Sequence, residues 1–403
     1  MTIGLFHPAF RTTGGAEILV ATWAQYMKRA GVEVRAVTME LDESRWRSWF
    51  EGIPLGVTAS PSWIEVFLGR RRRLERAVPR VEAALSGCTT VLACNFPANA
   101  LLGASKLAAK RVWYCTEPSR DYHPIATNVR LHERVQSLPG GSSDVERAYA
   151  STLKRYERVR HRRRFAEVVE FDLENTVKVD AILALSEFGR DSVRRVYQRD
   201  STVVYPIVRF QARPARPRTG LDRTGLKVLT HSRLEIVKNL DTVIRAFAKV
   251  LPGVPRSELH VVGEGGHRAS LEKLAHELGV FSAVRFHGYL SDADLNRVYD
   301  ACDVFALLPL DEPFGMVFPE AAARGLLLVG PDHGGPFEIL DGGRVGFTCD
   351  PFDPDGVAEA FRQIWRFSDA EVDARRVAAD DACRARFSEA VIGPQLLRAL
   401  KEC

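Results

Sequence analysis

Seven cysteines are scattered through the 403 residues, and no two of them stand in a C-x-x-C pair. Without that spacing a structural zinc site or a disulfide framework is not expected, and a reducing cytoplasm suits the chain best. There is no run of about 18 uncharged apolar residues, the length a membrane-spanning helix needs. The opening Met1-Thr2-Ile3-Gly4-Leu5-Phe6 has no basic stretch ahead of an apolar one, so neither an export signal nor a spanning segment is expected. G-x-G-x-x-G is missing, which disfavours a nicotinamide site. Repeats and low-complexity tracts are absent as well. The net charge is only +5, and with no recognised binding motif beside the basic residues a nucleic-acid partner is not expected. What remains is 46% hydrophobic and 27% charged, the composition of a soluble globular protein long enough for two or three domains.

The most informative segment is Glu312-Pro313-Phe314-Gly315-Met316-Val317-Phe318-Pro319-Glu320. It follows Asp303-Val304-Phe305-Ala306-Leu307-Leu308, an apolar and β-branched run that reads as a buried parallel strand ending at Pro309. Glu312 is therefore expected in the loop at a strand's carboxyl end, where open α/β sheets bind ligands. Pro319 suits the first turn of a helix that runs through Arg324 and stops at Gly325. The amides of Gly315, Met316 and Val317 would then be free to face an anion. A loop carboxylate can accept from sugar hydroxyls, and one at the helix start can accept from a ribose diol. Taken singly, Glu320 is an acid favoured in a helix's first turn and Glu312 a solvated charge; their spacing across a Phe-Gly turn is what distinguishes them.

Upstream, Leu226 to His231 reads as a strand, and Ser232-Arg233-Leu234-Glu235-Ile236-Val237-Lys238-Asn239-Leu240 leads into a helix through Leu251. Arg233 and Lys238 flank that strand-to-helix loop, where a planar fork and a point charge can grip a diphosphate. Glu258 to Val262 is a strand ending in Gly263-Glu264-Gly265-Gly266, where glycine lets a backbone turn or approach a ligand closely. Val284 to Leu290 reads as another strand and turn, with His287 as a structural strand residue. Beyond the motif, Leu326 to Gly330 reads as a strand and Gly334-Gly335 as a turn.

These pieces, in this order, resemble family-4 glycosyltransferases. The E-x-F-G-x-x-x-x-E motif of that family is matched at every fixed position, and its G-R-L-x-x-x-K-G pattern keeps both cations while Ser232 and Asn239 replace the flanking glycines. The resemblance implies an α/β chain of GT-B architecture, with two Rossmann-like domains facing a central cleft. It implies domains at 1–206 and 223–385, a linker at 207–222 and a C-terminal helix at 386–403 crossing back to the first domain. By the same resemblance Arg233, Lys238 and Glu312 are the catalytic candidates. Gly263, Tyr289, Phe314, Gly315, Met316, Val317 and Glu320 are the donor-side candidates, with backbone near Gly288 and Tyr289 bordering the nucleobase. No metal and no cofactor are expected, the nucleotide diphosphate-sugar being the substrate.

The N-terminal half is read as strand, glycine loop, helix and strand, from Ile3 through Gly14 and Gly15 to Val32–Thr38, a Rossmann-like half. The family's glycine pair at this place carries a donor-facing role to Gly14 and Gly15. Further strands are expected at 90–94, 111–115 and 181–185. Tyr114-Cys115-Thr116-Glu117-Pro118-Ser119-Arg120 is similar to the Y-C-H-T-P-x-R of the mannosyltransferase-like branch of bacterial polysaccharide glycosyltransferases, but Thr116 stands where that branch has histidine. Glu117, Arg120 and His123 are the alternative acceptor-side candidates. Ser186-Glu187-Phe188 and Val203-Val204-Tyr205-Pro206 match other signals of that branch.

The implied activity is retaining, metal-independent transfer of a sugar to an acceptor hydroxyl, on a saccharide, a glycolipid or a small aglycone. GDP-mannose is favoured as donor and a UDP-sugar is next. A phosphorylase, epimerase or hydrolase of the same fold, or a non-catalytic nucleotide-sugar binder, are the alternatives. Arg70–Arg73 after Trp63 to Leu68, and the arginines of 158–164, form basic patches that suggest peripheral contact with the inner face of a membrane. The same arginines also read as solvated helix faces. Arg213-Pro214-Ala215-Arg216-Pro217-Arg218 reads as a basic connector.

Overall fold

The computed structural model describes residues 1–11, 14–58, 70–137, 144–210 and 219–402. The connector at 213–218 and the aromatic stretch at 63–68 lie outside the described residues. Two compact units are formed. One comprises Met1–Val129, Ser151–Ile207 and Glu389–Cys403; the other comprises Arg130–Ala150 and Val208–Ser388.

The N-terminal unit is built on a sheet of strands β1 (Thr2–Phe10), β2 (Glu33–Leu41), β3 (Leu55–Val57), β4 (Thr90–Cys94), β5 (Lys110–Cys115), β6 (Ala181–Ala184) and β7 (Thr202–Val203). Their spatial order is β3-β2-β1-β4-β5-β6-β7, and every pairing is parallel. All five residues of Thr90–Cys94 are buried, as a parallel strand covered by helices on both faces requires. The helix Gly15–Arg29 returns the chain from β1 to β2 and buries Leu19, Val20, Trp23 and Met27. On one face of the sheet, Phe6, Val81, Val91, Leu101 and Phe171 belong to a single apolar cluster.

The C-terminal unit repeats the plan with β8 (Lys227–His231), β9 (Glu258–Val262), β10 (Val284–Gly288), β11 (Val304–Ala306), β12 (Leu327–Pro331) and β13 (Phe347–Cys349), ordered β10-β9-β8-β11-β12-β13. In both sheets the order reverses after the first three strands, so the crevice for a ligand is expected outside the carboxyl ends of β1 and β4, and of β8 and β11. Val228 and Leu229 lie beside Val304 and Phe305, which brings the loops after β8 and β11 together.

The expected strands are present within a few residues at each end. The helix carrying Glu320 spans Val317–Ala323, with Pro319 in its first turn as the sequence implies; proline fits there because an amide in the first turn has no intrahelical partner. One detail differs from the reading of the sequence. The sequence reading treats 1–206 as one unbroken domain, whereas the segment Arg130–Ala150 packs in the C-terminal unit. Arg130 and Leu131 attach it through Asp311 and Asp332, far away in sequence. The last helix, Glu389–Glu402, belongs to the N-terminal unit. There Glu389 pairs with Arg29 at 2.6 Å, and Gly393 lies against Tyr26 so closely that a Cβ would meet the ring at 2.2 Å. Among the described residues no helix is long and apolar enough to cross a membrane, and the six cysteines that lie among them are unpaired and buried.

Candidate nucleotide-sugar site

Lys238 closes a single 3-10 turn, Ile236–Lys238, in the loop after β8. The next residue, Asn239, has φ +54, a left-handed conformation that glycine and asparagine adopt most readily. Its side-chain amide donates to the carbonyls of Leu308 at 3.1 Å and Pro351 at 2.7 Å. Asparagine therefore keeps the backbone shape that glycine provides in the family pattern, and adds one bond to the chain just past β11 and one to the chain just past β13. Leu310 N–H donates to Val237 O at 2.9 Å, a second tie between this loop and the one after β11.

Across that junction the Lys238 Nζ donates to Glu312 Oε2 at 2.7 Å, with the two side chains 18% and 19% exposed. The sequence reading gave these residues separate tasks, and the structure pairs them. Arg233 is placed differently. Its guanidinium lies 2.8 Å from Glu235 and is 73% exposed, so the structure does not bring it onto Lys238's partner.

The glycines around this loop are explained by close approach. A Cβ on Gly335 would lie 2.3 Å from Phe314 Cα and Pro313 O, and one on Gly334 would lie 2.8 Å from Glu312 O. Gly335 N–H donates to that same Glu312 carbonyl at 2.8 Å. The pair is thus more than a turn, because it is the surface on which the Glu312 loop rests. Gly263 and Gly265 likewise face backbone: a Cβ would meet Ser232 O at 1.9 Å and Leu234 O at 2.2 Å. Gly263 lets the loops after β8 and β9 touch.

Of the residues within the motif, Phe314 is buried with its ring 5.2 Å from that of Phe387, so its side chain is core and only its backbone is left for a ligand. Gly315 takes φ +93. The amides of Gly315, Met316 and Val317 have no hydrogen-bond partner among the described residues. The helix they precede has only seven residues, too short for its dipole to add much beyond those amides. Tyr289, after β10, is 79% exposed.

Glu320 is exposed, yet the protein gathered around its carboxyl desolvates it and raises its pKa from 4.5 to about 7. Water reaches such a group from one side only, so its charged form is incompletely solvated. Nearby, His231 Nδ1 lies 3.0 Å from the Tyr299 hydroxyl. Burial lowers the His231 pKa to about 4, and burial together with the charge of Glu320 holds the Tyr299 phenol well above its ordinary value.

The acceptor-side candidates lie at the corresponding strand ends of the N-terminal unit. Thr116, just past β5, donates from its hydroxyl to Asn95 Oδ1 just past β4. Glu117 and Arg120 satisfy each other at 2.6 Å, and Arg120 also donates to Asn128 at 3.0 Å. His123 turns inward, with Nε2 2.9 Å from Asp172 Oδ2. Asp172 is fully buried and also accepts from Tyr197 at 2.8 Å, Asn99 at 2.9 Å and Thr176 at 2.8 Å. This network was not foreseen, since Asp172 sits at an inward position of the helix Arg163–Thr176, where an acid among apolar neighbours was the available signal. Gly14 precedes the helix Gly15–Arg29, and a Cβ there would meet Glu17 at 2.4 Å, while Gly15 faces open space.

Residues 212–378 match the family described as Glycosyl transferases group 1. The chain carries a group 1 glycosyl transferase domain. That domain spans every site residue from Arg233 to Glu320 and agrees with the resemblance carried by the motifs. Among curated relatives, mannosylfructose-phosphate synthase of Agrobacterium fabrum (strain C58) is 30% identical over 206 residues, 49% of this chain and 45% of that protein. The lipopolysaccharide core biosynthesis glycosyltransferase LpsE of Rhizobium meliloti (strain 1021) is 34% identical over 162 residues, 40% of this chain and 42% of that protein. The chain thus spans less than half the length of these relatives. Anabaena Alr3699/HepE, solved in complex with UDP-glucose, superposes over 100% of both chains with a TM-score of 0.70 at 18% identity. At that identity the likeness speaks to fold alone, and the fold is GT-B, two Rossmann-like domains each built on a parallel sheet.

Proposed function

We propose that the protein is a retaining glycosyltransferase that moves a sugar from a nucleoside diphosphate-sugar to an acceptor hydroxyl without a bound metal. The observation that carries this reading is the Lys238–Glu312 pair, held 2.7 Å apart where the loops after β8 and β11 meet.

In the proposed reaction the bond from the anomeric carbon to the diphosphate breaks, a bond to the acceptor oxygen forms on the same face, and the acceptor proton passes to the departing phosphate oxygen. Charge accumulates on the diphosphate, so cations held in place stabilise the transition state more than the ground state. Lys238 supplies that charge, the open amides of Gly315 to Val317 add to it, and Arg233 contributes from a more exposed position. Glu312 accepts from sugar hydroxyls and Glu320 from the ribose diol. Since the leaving group takes the proton, threonine at 116 is compatible with turnover.

GDP-mannose is the first choice of donor, supported by the branch resemblance and by the mannosyl product in the relative's name; a UDP-sugar is second, supported by the ligand of the superposed structure. A saccharide on a lipid carrier is the favoured acceptor class, in keeping with LpsE's part in lipopolysaccharide core biosynthesis. The test is thermal stabilisation by a panel of UDP-, GDP-, ADP- and dTDP-sugars in excess EDTA, followed by the anomeric configuration of the product. A selective shift with a retained anomer supports the reading. Donor consumption with no acceptor alcohol present, or inversion, overturns it.

A further inference from the structure

Glu312 is preceded by Asp311, a fully buried carboxylate at φ +48. A non-glycine residue held in the left-handed region is strained, and it persists only where its surroundings fix it. Here the fixing partner comes from far away in sequence. Asp311 Oδ1 accepts from the amide of Arg130 and Oδ2 from the amide of Leu131, both at 3.2 Å. These amides belong to the first turn of the helix Val129–Ser137, where donors have no partner within the helix. Arg130 strengthens the attachment with a two-pronged grip on Asp332, at 2.9 and 3.1 Å, and reaches Asp350 at 3.5 Å. On the other side the Asp311 amide donates to His333 Nε2 at 3.3 Å. Burial lowers the pKa of His333 and favours the neutral ring, and the Asp311 amide makes Nε2 its accepting nitrogen.

We propose that Asp311 is a positioning residue for Glu312, clamping the first turn of the helix Val129–Ser137 to the loop that carries the Glu312 carboxylate. The Glu312 backbone is then held from both directions, through Asp311 on one side and through its own carbonyl, which accepts from Gly335, on the other. Lys238 meets a carboxylate whose main chain cannot drift. By linkage, whatever orders the Glu312 loop also orders the Arg130 segment. The inference rests on the proposed sugar transfer for its catalytic consequence, but the clamp is a property of the fold and can be measured without it.

The test uses the full chain with Asp311→Asn, which replaces one acceptor oxygen by a donor, and Arg130→Gln, which keeps both amides and removes the guanidinium. Amide hydrogen exchange is read beside sugar-transfer kinetics. In Asp311→Asn, exchange is expected to quicken at 130–137 and at 311–316 together and to stay unchanged over β8, β9 and β12. Because a displacement near 1 Å can cost about a hundredfold, kcat should fall on that order while the donor KM moves less than about threefold. Arg130→Gln should show the same exchange pattern with a smaller kcat loss. Faster exchange at 130–137 with wild-type kcat overturns the proposal, and so does faster exchange spread over the whole unit, which would mark Asp311 as structural only. If the wild-type protein turns over no nucleotide-sugar, the functional reading fails by itself. Exchange then decides the clamp, and quickening at 130–137 without 311–316 refutes it.

Discussion

In the C-terminal unit the carboxylate of Glu312 meets a cation, Lys238, at the mouth of a strand crevice, whereas in the N-terminal unit the carboxylate of Asp172 is enclosed by His123, Tyr197, Asn99 and Thr176. Both units use the same order of parallel strands, so the backbone does not set this difference. In the proposed reaction the Lys238–Glu312 ion pair is exchanged, an incoming phosphate taking the lysine and sugar hydroxyls the glutamate. A carboxylate with four internal partners has nothing left to offer a ligand and instead fixes the elements that hold it. The first arrangement suits turnover and the second suits a rigid wall.

The largest effect should come from opening the exchangeable pair. Lys238→Ala removes the charge proposed to face the diphosphate and leaves Glu312 without its cation, so kcat/KM is expected to fall by about 10³, or about 4 kcal/mol, in a donor-saturated initial-rate assay. Retained activity would remove Lys238 from the proposed machinery. The converse change, Asp172→Ala, strips a satisfied buried network and should lower stability by about 3 kcal/mol in chemical denaturation. Its residual kcat should be affected far less than that of Lys238→Ala, and the opposite ranking would break the contrast between the two units.

Glu320 sharpens the contrast through pH. Its folded pKa of about 7 lies above the ordinary 4.5, so between those values the folded state holds the proton that the unfolded state releases. The contribution of this group to stability therefore falls as pH rises from 4.5 towards 7, and is level above that. A diol that donates to the ionised carboxylate reverses the preference, so the melting shift produced by nucleotide should be larger near pH 8 than near pH 6. Glu320→Gln should abolish that dependence, and an unchanged profile would separate Glu320 from the nucleotide. Arg233→Ala should cost less than about tenfold in kcat/KM, because an exposed guanidinium already engaged with Glu235 is well screened. Thr116→Val, which removes the hydroxyl from Asn95, should cost about 1 kcal/mol of stability, measured by calorimetry.

Much of the fold was legible because parallel strands buried on both faces read as continuous apolar runs, as in Thr90–Cys94 and Leu327–Pro331. The Glu312 to Glu320 segment was legible for a different reason, a fixed spacing across a Phe-Gly turn. What the sequence concealed were contacts made across long separations. Lys238 and Glu312 are 74 residues apart, and Asp311 lies 181 residues from Arg130. Neither pairing leaves a periodicity, because a single polar contact constrains one position at each end. Asn239 in place of glycine looked like a departure from the family pattern until its left-handed backbone and its two side-chain bonds were visible. The inward turn of His123 was equally hidden, since its partner Asp172 lies 49 residues away and no spacing joins the two.

The path of the chain also bears on how far its halves are modular. The main chain passes between the two units at 129/130, 150/151, 207/208 and 388/389, so neither unit is a single continuous stretch. A fragment beginning at Val208 would leave Asp311 without the amides of Arg130 and Leu131, and Asp332 without Arg130. Exchange of halves between relatives at one cut would mate the Asp311 loop with a foreign arm, and recombination that keeps these contacts must carry residues 130–150 together with 208–388 as one inherited block.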